Sequence, residues 1–152
     1  MNLQIQNNQR KIKIDRRKIR STIFKILKIL DCADKEISLS FVDDEKIKQL
    51  NKQYLGKDKA TNVLSFSLRE DEYGNINPQI LVDIVISADT AQKDAIQGNL
   101  TIAQEIDFLI IHGLLHLLGY NHENTTKKET NIMRQKEKKL FNLVNGNDIK
   151  LI

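Results

Sequence analysis

The segment over residues 101–118 constrains the fold more than any other, because its side chains are apolar on nearly every side. Thr101 and Gln104 have the spacing of a capping box, which predicts that a helix begins here. A helix that is apolar all round has to be enclosed by other elements. The sequence therefore predicts a central helix, and this helix leads into HGLLHLLGYNH, residues 112–122, which contains all three histidines of the chain.

The rest of the chain predicts the elements that enclose this helix. Helical spacing of apolar residues predicts helices over 16–33, 44–55, 89–97 and 127–145, and alternating or β-branched runs predict strands over 37–42, 62–68 and 79–87. The last strand is nearly all apolar and is expected in the middle of the sheet. Helical spacing also turns Tyr54 and Ile132 inward. We predict the α+β class: a single domain over residues 1–152, with a small mixed β-sheet packed with about five helices.

Length and composition fit one globular domain. The 152 residues are 40% hydrophobic, which is enough for a single core. The longest apolar window, residues 108–118, falls well short of the roughly 20 residues that span a bilayer, and the first residues lack the apolar core of a signal peptide. Cys32 is the only cysteine, which excludes an internal disulfide and agrees with a reducing compartment. We therefore expect a cytoplasmic protein without a membrane partner.

Basic residues exceed acidic residues by 24 to 20, and much of the excess lies in RKIKIDRRKIR, residues 10–20. Such a surface could bind nucleic acid. From charge alone, the simpler interpretation is a solvated lysine and arginine face on a helix.

The three histidines have the spacing of metal ligands. His112 and His116 are four residues apart, so a helix places both imidazoles on one face. Gly119 can end the helix in a left-handed conformation and let the chain return His122 to the same point. A single histidine in an apolar helix is more often a packed core residue, but three buried without partners would each cost on the order of 1–3 kcal/mol. Three imidazoles with one open position are typical of catalytic zinc, so the pattern predicts one zinc ion per chain.

Gly113 separates this motif from the zinc proteases. Their extended signature has a glutamate, the general base, directly after the first histidine, where this chain has glycine. The zinc-site helix is therefore metzincin-like, while its chemistry is expected to differ from proteolysis.

HGLLHLLGYNH resembles the HGxLHLxGYDH signature of the YbeY family, bacterial rRNA maturation factors described as metal-dependent single-strand endoribonucleases. Two further segments resemble motifs of that family: LNKQYLGKDKATNVLSFS, residues 50–67, and LVDIVIS, residues 81–87. Met133 and Gln135 also fall where the family has a methionine and a glutamine. The resemblance implies that His112, His116 and His122 bind zinc, and that the partners are single-stranded or ribosomal RNA and the ribosome.

The chain departs from the family pattern at four positions, with leucine for arginine, alanine for proline, valine for glycine and asparagine for aspartate: Leu55, Ala60, Val82 and Asn121. The first departure bears most on mechanism, because an arginine has a planar guanidinium suited to a phosphate. Lys57 and Lys59 are candidate substrate-binding residues that supply charge without that bidentate geometry.

Together with the histidine motif, the resemblance implies a zinc-dependent single-strand endoribonuclease acting in rRNA maturation and ribosome quality control, with zinc-activated water attacking the phosphodiester. Asp83, a carboxylate in an apolar strand, is a candidate proton acceptor, and the alternative is a place at the exposed end of the strand. Two other functions stay open. One is a zinc hydrolase resembling a metalloprotease, favoured by the histidine spacing and opposed by Gly113. The other is a ribosome-assembly binding protein with weak or no nuclease activity, favoured by Leu55.

Overall fold

The computed structural model describes residues 2–32, 36–66, 80–117 and 126–145. Within these ranges the chain forms four strands and five helices. The strands are β1 (Asn2–Asn7), β2 (Glu36–Val42), β3 (Val63–Phe66) and β4 (Ile80–Ser87). The helices are α1 (Arg16–Ile29), α2 (Asp44–Leu55), α3 (Ala88–Gln97), α4 (Ile102–Leu117) and α5 (Lys127–Asn145).

The four strands form one mixed sheet in the order β1-β2-β4-β3. β1 pairs with β2 and β2 with β4 in parallel, whereas β3 pairs with β4 in an antiparallel manner. β4 therefore lies inside the sheet and β3 at its edge. The predicted α+β class with a small mixed sheet is confirmed, and so is the internal position of the last strand.

Most of the core lies between one face of the sheet, here called the core face, and helices α1, α4 and α5. The core face presents Leu39, Phe41, Ile84 and Ile86 to this cluster. The opposite face, here called the outer face, is covered in part by α2, whose Ile47 packs in a smaller second cluster. α4 contacts α1, α3, α5, β3 and β4. It is the enclosed central helix that its composition predicts.

Capping side chains fix the ends of the helices that the site depends on. The hydroxyl of Thr101 accepts from the Gln104 N–H at 3.1 Å, and the Gln104 side chain accepts from the Thr101 N–H at 2.9 Å. This reciprocal pair starts α4 where predicted. α1 ends at Ile29, four residues before the predicted end, because Asp31 adopts a left-handed backbone with φ of 57°.

Among the described helices, none is by itself both long and apolar enough to cross a membrane. α3 and α4 pass that test only when taken together, and the pair is bent by 110° at the break between them.

Candidate active site

α4 brings two of the three predicted zinc ligands together. His112 and His116 lie one turn apart near its C-terminal end, with ring centroids 6.3 Å apart and ring planes inclined by 14°. His112 is partly buried and His116 is exposed, so the pair lies where the core meets solvent. His122, Gly119 and Asn121 lie outside the described residues.

A buried carboxylate from α5 contacts the first histidine. The Nδ1 atom of His112 lies 2.8 Å from Oε1 of Glu137, whose side chain is 7% exposed. On another side, the His112 ring neighbours that of Phe108 at 6.3 Å between centroids. Phe108 in turn meets Phe141 of α5 edge to face, also at 6.3 Å. α5 therefore contacts the His112 ring directly through Glu137. It also contacts the ring indirectly through Phe141, which packs on Phe108.

Glu137 is a site residue that was not predicted from the sequence, although the sequence of α5 contains a signal for it. Glu137 lies four residues after Met133 and four before Phe141, which puts it on the apolar face of the amphipathic helix α5. A carboxylate on such a face has to meet a donor, because burial of an unpaired charge is costly. Its partner is unknown until the packing of α5 on α4 is known.

Gly113 faces the sheet and not the open side of the site. A Cβ atom at this position would lie 2.8 Å from Oγ of Ser65 on β3 and 3.4 Å from Cδ1 of Ile84 on β4. The glycine lets α4 pack directly against these strands. The missing protease glutamate therefore has a structural cause, because its side chain would occupy the contact between α4 and the sheet.

Asp83 lies on the outer face of the sheet, whereas α4 lies on the core face. Ile84, the next residue of β4, packs in the main core, and side chains alternate along a strand. Asp83 lines a groove of about 530 Å³ together with Ser38, Ser40 and Lys46. Burial raises the pKa of the Asp83 carboxyl. The structure therefore does not bring Asp83 together with His112 and His116, and its role as proton acceptor gains no support from this placement.

Lys57 and Lys59 are exposed on the loop that follows α2. Gly56 ends the helix with φ of 70°, a left-handed conformation that costs glycine little. The buried side chain of Asn51 donates to the carbonyl oxygen of Lys59 at 2.9 Å, and the Lys57 N–H donates to the carbonyl oxygen of Asn51 at 3.3 Å. These bonds fix the loop backbone while both ammonium groups face solvent.

Leu55, the last residue of α2, is 53% exposed. The preceding residue, Tyr54, was predicted to face inward, but it is 59% exposed and its ring meets that of Phe66 at 5.3 Å between centroids. Phe66 packs on the outer face of β3, whereas Ser65 of the same strand meets α4 on the core face. The C-terminal end of α2 and helix α4 therefore lie on opposite faces of β3.

The donors present suit zinc, since imidazole nitrogens on one helix face are common zinc ligands. Among the described residues, no group of three or more histidine, cysteine, aspartate or glutamate side chains is close enough to hold a metal ion. The two described histidines thus fit the predicted site in chemistry and position, and the third ligand lies beyond the described ranges.

A sequence model of the family described as Endoribonuclease YbeY matches residues 4–145. The chain belongs to the YbeY family. The YbeY endoribonuclease of Syntrophus aciditrophicus is 56% identical over 146 residues, which cover 96% of this chain and 91% of the relative. That of Syntrophotalea carbinolica is 42% identical over 139 residues, covering 91% and 93%. Both the resemblance and the predicted nuclease class of enzyme are confirmed.

A solved structure supports the same assignment of the fold. The solution structure of TM1509 from Thermotoga maritima matches with a TM-score of 0.64 and 29% sequence identity. The match covers 95% of this chain and 89% of that protein. This chain therefore shares its fold with that protein over nearly its whole length.

Proposed function

We propose that this YbeY-family chain is a zinc-dependent, single-strand endoribonuclease that acts in the cytoplasm in rRNA maturation and ribosome quality control. The observation that carries the proposal is the parallel pair of His112 and His116, one turn apart on α4, in a chain whose family is one of endoribonucleases. The ribosome is the proposed site of action, and its RNA the proposed substrate.

His112, His116 and His122 would hold the zinc ion. When bound, zinc supplies a Lewis acid that polarises a phosphoryl oxygen and lowers the pKa of water. The protein positions His112 and His116, because both lie on a helix that is packed on several sides. Phe108 and Glu137 shield part of the His112 ring, and electrostatic interactions are stronger where bulk water is limited.

Lys57 and Lys59 would contact the RNA backbone. Both are exposed on a loop whose main chain is tied to Asn51, so their charges project from a fixed base. Such contacts depend on salt and not on base sequence. The apolar, exposed Leu55 beside them offers no hydrogen bond to a phosphate, so we propose that cleavage is slow.

The proposal is tested by zinc content and by single-turnover cleavage of an unstructured RNA, with the wild type and His116→Ala compared at the same salt and metal concentrations. The wild type is expected to bind about one zinc ion and to cut the RNA. His116→Ala is expected to lose both properties, because removal of one of three ligands weakens the site. Circular dichroism of both proteins controls for folding.

The other outcomes point to different functions. RNA cleavage that survives removal of all divalent metal would exclude the zinc mechanism. Casein cleavage that depends on metal and is lost in His116→Ala would favour a metalloprotease. Zinc binding without any RNA or casein cleavage would favour a ribosome-assembly binding protein, the alternative that the exposed Leu55 supports.

A further inference from the structure

The contact between His112 and Glu137 joins two helices at the candidate metal site. The Nδ1 to Oε1 distance of 2.8 Å is that of a well-formed hydrogen bond. Glu137 is 6% exposed and shares its helix face with Met133, Leu140 and Phe141. An apolar residue would pack on that face without the cost of removing a carboxylate from water. The acidic side chain at position 137 is therefore explained by its contact with His112 and not by packing of the core.

We propose that Glu137 is a positioning residue that fixes the tautomer and the orientation of His112 for metal binding, an inference that rests on the proposed zinc site. A carboxylate at this distance accepts a hydrogen bond from the Nδ1–H group of a neutral imidazole. Nε2 is then the ring nitrogen that coordinates metal. The negative charge behind the ring also increases the electron density that His112 offers to the ion.

The surroundings of His112 add a second constraint on the ring. Phe108 lies on one side at 6.3 Å and His116 at 6.3 Å, with the histidine planes nearly parallel. The aromatic neighbours limit tilting of the His112 ring, and Glu137 limits its rotation about the Cβ–Cγ bond. Together they preorganise one ligand before metal binds, which reduces the entropy lost on binding.

Two substitutions separate the hydrogen bond from the charge. Glu137→Gln keeps an oxygen that accepts from Nδ1 but removes the negative charge, and Glu137→Leu removes both at similar volume. Glu129→Gln is the matched control, because Glu129 lies on the same helix, is exposed and caps the helix with Thr126 through an oxygen that glutamine also has. Zinc affinity is measured by competition with a chromophoric chelator at pH 8.

We expect zinc affinity to fall by about 10-fold in Glu137→Gln and by about 100-fold in Glu137→Leu, the range found when such outer carboxylates are removed. Glu129→Gln is expected to bind zinc as the wild type does. A second readout needs no metal: nitrogen chemical shifts of the His112 ring should show the proton on Nδ1 in the metal-free wild type and a mixture of tautomers in Glu137→Leu.

A merely structural role for Glu137 would lower the melting temperature of the variants without changing the zinc affinity or the tautomer of His112. Folded Glu137→Gln and Glu137→Leu proteins with wild-type affinity would overturn the inference and leave the zinc site standing. If Glu137→Leu does not fold, Glu137→Gln decides by the same two measurements. A wild type that binds no zinc would overturn the proposed function as well.

Discussion

Replacement of Glu105 by glutamine should stabilise the protein at alkaline pH. Glu105 lies in the first turn of α4 and is 6% exposed. Burial, together with the charge of Asp94, raises the pKa of its carboxyl from 4.5 to about 7. A helix N-terminus favours an anion, but the cost of burial is larger here. Ionisation of the buried Glu105 carboxyl therefore lowers the stability of the folded state.

The magnitude follows from the shift in pKa. The interval from 4.5 to about 7, at about 1.4 kcal/mol per pH unit, gives an upper bound between about 3 and 4 kcal/mol. Solvent near the helix end screens part of this, so we expect about 1–2 kcal/mol. Because the folded pKa is raised, the contribution of protonated Glu105 to stability is fully present below about pH 4.5. It is lost as the pH rises through about 7.

The assay is urea unfolding of the wild type and Glu105→Gln at pH 8 and pH 5. The amide keeps the shape of the side chain and does not ionise, so its advantage should be largest at pH 8 and small at pH 5. Glu45→Gln is the control, since Glu45 is exposed in the first turn of α2. A free-energy difference that is the same at both pH values, or a variant less stable than the wild type at pH 8, would refute the reasoning.

Two further predictions concern the active-site region. Gly113→Glu should lower the free energy of unfolding by about 3 kcal/mol or more in urea titrations and create no casein cleavage, because the carboxylate would be forced against Ser65 and Ile84. Gly113→Ala should change the free energy of unfolding by less than about 1 kcal/mol. Alanine has a higher helix propensity than glycine, and this gain offsets the cost of rotating the Ser65 hydroxyl away from the new Cβ atom. A stable Gly113→Glu protein would contradict this. Leu55→Arg should speed single-turnover RNA cleavage by no more than about 10-fold at unchanged zinc content, because Leu55 is 53% exposed and solvent screens the charge of an arginine there. Equal rates in two active proteins would show that this position takes no part.

The elements with strong local signals could be predicted from the sequence. Thr126 and Glu129 have the same capping-box spacing as Thr101 and Gln104, and both boxes form, at the starts of α5 and α4. Gly56 ends α2. β1 was missed, although Leu3 and Ile5 alternate with polar residues, because asparagine and glutamine give NLQIQN little preference for a strand. β1 forms through parallel pairing with β2, whose paired residues lie 34 positions further along the chain, and no local pattern shows this contact.

The inward positions predicted for Tyr54 and Ile132 were wrong, for a related reason. Helical spacing gives the direction of the apolar face only to within a residue or so. Ile132 is 44% exposed, because α5 turns Met133 toward the core in its place. Tyr54 lies at the end of α2, beyond the part of the outer face that the helix covers, and packs against Phe66.

The residues of the candidate site also differ in whether local or distant contacts determine their positions. His112 and His116 could be predicted because one turn of helix sets their relation. Glu137 is 25 residues from its partner, so its role depends on the angle at which α5 packs on α4. The placement of Asp83 depends on which sheet face α4 covers, and the alternation within β4 alone does not tell the core face from the outer face.

The packing of α4 also explains why this helix can present histidines and yet lack the protease base. Adjacent residues on a helix point about 100° apart, and in this structure His112 is partly open to solvent while position 113 faces β3 and β4. There the space is filled by Ser65 and Ile84, and a glutamate could reach the histidine side only if α4 moved away from β3. That movement would open the core around Ile110 and Leu114, which are both fully buried. A proton acceptor supplied by the protein for RNA cleavage therefore has to come from an element other than position 113 of α4.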